Sequence, residues 1–241
     1  MKPISALVFA GFLGTAAMAY ASDIVIDNFS CPDSVTLDGP AGASAFNASY
    51  ITCPGSIGGI REDFIANLTP GASGGSAGSV STITTNPPAN AITGTFGNGI
   101  TGAEGMNWGD TSTGYDYLGL DLAGDSILVQ IQSDSGGTIN VDLATTLVPD
   151  EFIGSAFSVA FSGSPSIQDL LIPLTGTPIV SGTAANLDDV NNINMYVSLD
   201  TPGGTWSIDG VAAVPEPSTL LLTGVCFLGL LTKSLWLRRP R

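Results

Sequence analysis

The sequence predicts an all-β protein, a two-sheet β-sandwich of jelly-roll type, and three observations predict it. Apolar residues recur at every second position in short runs, the spacing of a strand with one buried face. Gly, Pro, Asn, Asp and Ser separate those runs. No stretch of residues 22–213 has helical periodicity. Ten or more strands are expected across that segment, a number suited to two sheets packed face to face.

The first run sets Ile24 and Ile26 against Val25 and Asp27. Residues 70–80 are a Gly/Ser-rich, low-complexity stretch expected to be a loop. Ile127, Val129 and Ile131 alternate with Leu128, Gln130 and Gln132. After Asp134-Ser135-Gly136-Gly137 come Ile139, Val141 and Leu143 against Asn140 and Asp142, and the two runs read as a hairpin. Phe157, Val159 and Phe161 alternate with Ser158 and Ala160. Ile193, Met195, Val197 and Leu199 alternate with Asn194, Tyr196, Ser198 and Asp200, and Trp206 and Ile208 with Ser207 and Asp209. There is no internal repeat of the kind that builds a solenoid or propeller.

Charge narrows the function classes. The whole chain of 241 residues carries a formal −15. Residues 22–215 hold seventeen Asp plus Glu62, Glu104 and Glu151 against the single base Arg61, which gives −20 + 1 = −19. Such a surface repels nucleic acid and anionic lipid. It favours cations, Ca²⁺ above all, whose ligands are carboxylate and carbonyl oxygens; solubility is the other reading of the same acidity. The chain has no histidine, and residues 22–215 have no lysine. Ser-His-Asp and Cys-His catalysis, imidazole-bound zinc and Schiff-base chemistry are therefore excluded. An enzyme on this chain would have to work with carboxylates, Tyr or a carboxylate-held metal.

The ends read as sorting segments. Lys2, an apolar stretch from Ile4 and the small-residue site Ala19-Tyr20-Ala21 make residues 1–21 a signal peptide addressed to the Sec translocon. At the other end, an apolar run from Leu220 to Leu231 and its flank reach Leu237. A helix over about 218–237 has the ~20 residues needed to span the inner membrane. The trailing arginines are expected to stay in the cytoplasm. Pro215 and Pro217 stop such a helix from running back into the domain. Pro215-Glu216-Pro217, the apolar helix and the basic tail Arg238, Arg239 and Arg241 together resemble the PEP-CTERM sorting signal, over residues 214–241. Lys233 interrupts the apolar run, and near a helix end it can snorkel to the headgroups. The resemblance implies recognition by an exosortase, a membrane cysteine protease of transpeptidase type. It implies cleavage near the motif and delivery to the cell surface or exopolysaccharide matrix of a Gram-negative bacterium.

A second resemblance covers residues 24–213. Ile26-Asp27-Asn28-Phe29, Gly58-Gly59-Ile60-Arg61, Tyr115 to Leu122, Gln130-Ile131-Gln132 and Trp206-Ser207-Ile208-Asp209-Gly210-Val211 follow one another in an order similar to galactose-binding-like jelly rolls, including some carbohydrate-binding modules. It implies adjacent first and last strands and a sugar-binding face.

Several residues are singled out by their chemistry. If the terminal strands pair, Asp27 and Asp209 could meet and hold a structural Ca²⁺; the alternative is that each caps a local turn. Cys31 and Cys53, 22 residues apart, are either a disulfide suited to an oxidising compartment or two free thiols. Arg61 either clamps a sugar hydroxyl or uronate, or pairs structurally with acids. Trp108, Tyr115 and Asp110 are the candidate ligand residues, with Tyr50, Tyr117 and Trp206 as further aromatics. Trp108 lies in the polar stretch Met106 to Asp110 and suits either sugar stacking or core packing, whereas Trp206 alternates with Ile208 and reads as core. Glu62-Asp63 and Asp188-Asp189 are neighbours that would point to opposite faces of a strand, a poor arrangement for a catalytic pair. Asn47-Ala48-Ser49 and Asn67-Leu68-Thr69 match the glycosylation pattern, read here as ordinary loop or strand residues. The expectation is an exported, non-catalytic surface or matrix protein, with exopolysaccharide binding as its sharper form. A passive acidic matrix component and a carboxylate-based glycan-active enzyme are the alternatives.

Overall fold

In the computed structural model the described residues are 23–39, 46–70, 79–86, 89–109, 118–148, 151–175 and 184–216. The expected signal peptide (1–21), the expected helix at 218–237, Pro217 and the basic residues Arg238, Arg239 and Arg241 lie outside them. Among the described residues no helix is long and apolar enough to cross a membrane.

The strands are β1 (Ile24–Asp27), β2 (Asp33–Gly39), β3 (Phe46–Thr52), β4 (Ile60–Pro70), β5 (Ser79–Asn86), β6 (Ala91–Thr95) and β7 (Ile100–Trp108). Then come β8 (Asp125–Ser133), β9 (Gly137–Val148), β10 (Glu151–Phe161), β11 (Ser164–Pro173), β12 (Asn192–Leu199) and β13 (Thr205–Pro215). They form two antiparallel sheets, one ordered β11-β8-β13-β6-β5-β2 with β1 on β13, the other β10-β9-β12-β7-β4-β3. The fold class is the one the sequence predicts, an all-β jelly-roll sandwich. The first and last strands pair, with Val25 opposite Ala212.

The period-two positions fill the space between the sheets. Ile127, Val129 and Ile131 of β8, Ile139, Val141 and Leu143 of β9, and Ile193, Met195 and Val197 of β12 are all at most 1% exposed. They join Phe29, Trp108, Trp206 and Ile208 in one apolar cluster. Because successive strand residues point to opposite faces, burying these positions turns the intervening polar ones outward.

One sequence expectation is corrected. The runs at 127–132 and 139–143 do not form a hairpin. β8 pairs with β11 and β13, whereas β9 pairs with β10 and β12 in the other sheet. The chain between Ser133 and Gly137 crosses the sandwich. Alternation fixes which face of each strand is buried, and two apolar faces are covered as well across the sandwich as side by side.

Candidate functional site

Register across the six-stranded sheet assembles a polar row. Arg61, Asp63 and Ile65 of β4 are 0–1% exposed and point inward; Glu62 and Phe64 belong to the other face of the strand, where they too are nearly covered, at 7% and 8% exposed. On β3, Tyr50 stands opposite Glu62. On β7, Asn107 stands opposite Glu62 on its other side. Asn194 of β12 follows opposite Asn107, and Asp142 of β9 opposite Asn194. Tyr50, Glu62, Asn107, Asn194 and Asp142 therefore lie in one line across five adjacent strands, about 4.8 Å apart from strand to strand. The neighbouring line runs Phe64, Gly105, Tyr196, Asn140 and Ser158.

The row is partly wired. Asn107 Nδ2 donates to Glu62 Oε2 at 3.2 Å, and Asn192 Nδ2 donates to Asn107 Oδ1 at 2.6 Å and to the Trp108 carbonyl at 3.1 Å. Asn194 Oδ1 is buried and has no hydrogen-bond partner. Burial pushes the Asp142 carboxyl up, and burial followed by the charge of Asp142 pushes the Tyr196 phenol up. At the edge, the exposed Phe46 stacks on Phe64 with ring centroids 6.1 Å apart, and Tyr50 is also exposed. Gly105 is required where it stands: a Cβ there would run into the Met195 carbonyl, Tyr196 and the Phe64 ring. The face offers amide donors, carboxylate acceptors and edge aromatics, and its described residues include no cation. Amides and carboxylates in a row bind hydroxyl groups well, since each hydroxyl both donates and accepts.

The candidate residues named from sequence are distributed differently. Trp108 is fully buried and donates Nε1 to Asp27 Oδ2 at 2.9 Å, so it is a core residue and cannot stack on a ligand. Its place in a polar stretch concealed that its strand neighbours Met106 and Glu104 are also fully buried. Asp110, Tyr115 and Tyr117 lie outside the described residues. Trp206 is 2% exposed and donates Nε1 to the buried Glu104 Oε2 at 2.7 Å, consistent with its alternation.

Arg61 is structural. Its guanidinium is fully buried, bound to Asp63 through Nε at 2.7 Å and Nη2 at 3.1 Å, and to Asp27 through Nη1 at 3.1 Å. Nη2 also donates to Thr85 Oγ1 at 2.7 Å, and Phe29 lies under the group with its centroid 5.5 Å away. Burial pushes the Asp63 carboxyl up to about 7 against the opposing pull of Arg61. Arg61 is thus unavailable to a sugar or uronate on the outer face.

Asp27 and Asp209 do line one shallow depression, together with Asn28 and Gln130. The Asp27 carboxylate, however, is taken by the Phe29 amide at 2.7 Å, Arg61 and Trp108. It caps the local turn and faces a cation of the protein itself. No group of three or more His, Cys, Asp or Glu side chains suited to a metal occurs among the described residues. Cys31 and Cys53 form a disulfide with Cα atoms 5.6 Å apart. Pro215 ends β13, and Glu216 is stitched to the domain through its amide to Gly124 O at 3.0 Å and Oε1 accepting from Ser126 at 3.0 Å. Glu62 and Asp63 point to opposite faces, as neighbours on a strand must.

Neither a protein-family model nor a curated protein matches the sequence. Among solved structures, the chain is similar to the family 11 carbohydrate-binding module of the cellulosomal cellulase Lic26A-Cel5E of Clostridium thermocellum. Identity there is 10%, the TM-score is 0.37, and 81% of this chain and 95% of that one are covered. The module from the same organism in complex with a β-1,3-1,4-mixed-linked tetrasaccharide gives 13% identity, a TM-score of 0.34 and coverage of 80% and 95%. An exo-β-agarase gives 12% identity and a TM-score of 0.38, with 81% of this chain covered but 26% of the agarase. Likeness at this level carries nothing about ligand or partner.

Proposed function

We propose that this chain is an exported, non-catalytic β-sandwich that binds a polysaccharide of the cell surface or extracellular matrix on the outer face of its six-stranded sheet. The observation that carries the reading is the register that lines up Tyr50, Glu62, Asn107, Asn194 and Asp142 across five strands. A sugar chain laid along this row meets Tyr50, Asn107, Asn194 and Asp142, while the nearly covered Glu62 holds the Asn107 amide from beneath. The polymer is uncharged, because Glu62 and Asp142 would repel a uronate and the domain's one cation is buried behind the sheet. The same spacing argues against a glycosidase on this row. Glu62 and Asp142 are three strands apart, about 14 Å, beyond the roughly 5–9 Å that paired carboxylates need.

Delivery follows from the ends of the sequence. Residues 1–21 act as the Sec-directed signal peptide, and residues 214–241 act as a PEP-CTERM signal that anchors the precursor in the inner membrane until an exosortase cuts it. The envelope in question is that of a Gram-negative bacterium.

A screen of the purified protein against neutral and acidic glycans, including the producer's own exopolysaccharide, tests the binding. Asn194→Ala and Asp142→Ala are expected to weaken it about tenfold each, the loss of one or two hydrogen bonds. Binding to no glycan at all refutes the proposal. For sorting, deletion of residues 214–241 is expected to move the protein out of the membrane fraction, and an unchanged distribution refutes that part.

A further inference from the structure

We propose that the domain has a second sugar-contacting site, on the opposite sheet, and that it bridges two polysaccharide chains. The site is a trough of about 510 Å³ on the outer face of the seven-stranded sheet. Its floor is another registered row: Ser207 of β13 stands between Thr93 of β6 and Gln132 of β8. One end is closed by Asp134, whose Oδ1 accepts from the Thr205 amide and Oδ2 from Thr205 Oγ1, both at 2.9 Å. Ser164 and Pro165, from β11, form the far wall.

The lining selects its ligand chemistry. It offers hydroxyls, one amide and one carboxylate, and none of its residues is basic. Each hydroxyl can donate and accept, the exposed Gln132 amide can do both at once, and the fixed Asp134 oxygens keep lone pairs for further donors. The exposed Pro165 ring adds an apolar wall for the C–H side of a sugar. Asp134 disfavours phosphate, sulfate and uronate. A segment of neutral polysaccharide is the occupant that fits. Strand steps of about 4.8 Å along the floor are comparable to the length of one sugar residue.

The trough and the Tyr50–Asp142 row lie on the outer faces of opposite sheets. One extended polymer cannot run along both, so two occupied faces join two chains. Bridging rests on the binding face proposed above; occupancy of the trough does not.

The test uses the full-length protein with soluble neutral glucans, mannans and galactans, read by light scattering for cross-linking and by titration for binding. Wild type is expected to bind with two sites and to raise scattering to a maximum that falls again at excess protein. Gln132→Ala/Ser207→Ala is expected to bind as one site, with cross-linking reduced roughly tenfold or more, the loss of two ordinary hydrogen bonds. Gln132→Lys, which fills the trough without shortening the floor, is expected to do the same, and equal thermal midpoints for all three show that the fold is kept. Asn194→Ala is expected to reduce bridging about tenfold, in step with its weaker binding face, while the trough still binds. Undiminished cross-linking by both trough variants overturns the second site and leaves the binding face standing. Binding confined to the trough overturns the binding face and bridging but keeps the site. No binding to any neutral polymer overturns both.

Discussion

Replacing Glu104 by Gln should flatten the pH dependence of stability. Glu104 sits on β7, fully buried between the sheets. Trp206 Nε1 donates to its Oε2 at 2.7 Å, and its Oε1 is buried without a partner. The Oε2 side is tightly packed: a Cβ at Gly94 would collide with Oε2 and the Trp206 indole. Burial pushes the carboxyl from the ordinary 4.5 up to about 8, with the Trp206 hydrogen bond pulling weakly the other way. The sign follows. Below 4.5 the group is protonated in folded and unfolded chains alike and the stabilisation is fully present. Between 4.5 and about 8 the unfolded chain releases the proton while the folded one keeps it, so stability falls as pH rises. Above about 8 both release it and the loss levels off. At ~1.4 kcal/mol per unit, the full window is worth about 5 kcal/mol and the part up to neutrality about 3 kcal/mol. In Glu104→Gln the amide oxygen still accepts from Trp206, and the unpaired NH₂ group carries a cost that does not vary with pH. Urea titrations of both proteins from pH 5 to 9, with the disulfide intact, should show the variant gaining on wild type by about 1.4 kcal/mol per pH unit up to about pH 8. Other acids whose pKa is raised, Asp63 among them, cancel in the comparison. Parallel pH profiles for the two proteins would refute the reasoning, since they would mean that Glu104 ionises as freely in the fold as outside it.

Arg61→Met leaves Asp27 and Asp63 as uncompensated buried carboxylates and should cost about 3–5 kcal/mol in urea unfolding; Arg61→Met/Asp63→Asn should recover part of it. Reduction of Cys31–Cys53, or its replacement by Ser, should lower stability by about 3 kcal/mol, seen as a fall in Tm with reductant. Trp108→Phe removes the hydrogen bond to Asp27 and should cost about 1–3 kcal/mol while leaving glycan affinity unchanged; a loss of affinity at equal stability would return Trp108 to the ligand. Melting midpoints with Ca²⁺ and with a chelator should coincide, because Arg61 already occupies the position a cation at Asp27 would need.

The sequence by itself determined which face of β8, β9, β12 and β13 is buried, though not of β1, where Ile26 and Asp27 are both covered. Ile127, Val129, Ile131, Ile193, Met195 and Val197 are core because their spacing of two leaves them on one side of a pleat, whichever strands they pair with. It also determined the chemistry at hand, since a chain without histidine and with one cation in its domain has few options for catalysis. Only the tertiary structure decided the partners. Alternation is a local property, and pairing is not: β8 and β9 have the pattern of a hairpin yet lie in different sheets. Trp108 and Arg61 were ambiguous for the same reason, because both bind Asp27 of β1, over thirty residues away from either. The row from Tyr50 to Asp142 draws on residues spread over more than 140 positions, each an unremarkable polar residue in its own strand. Long-range register alone puts them side by side.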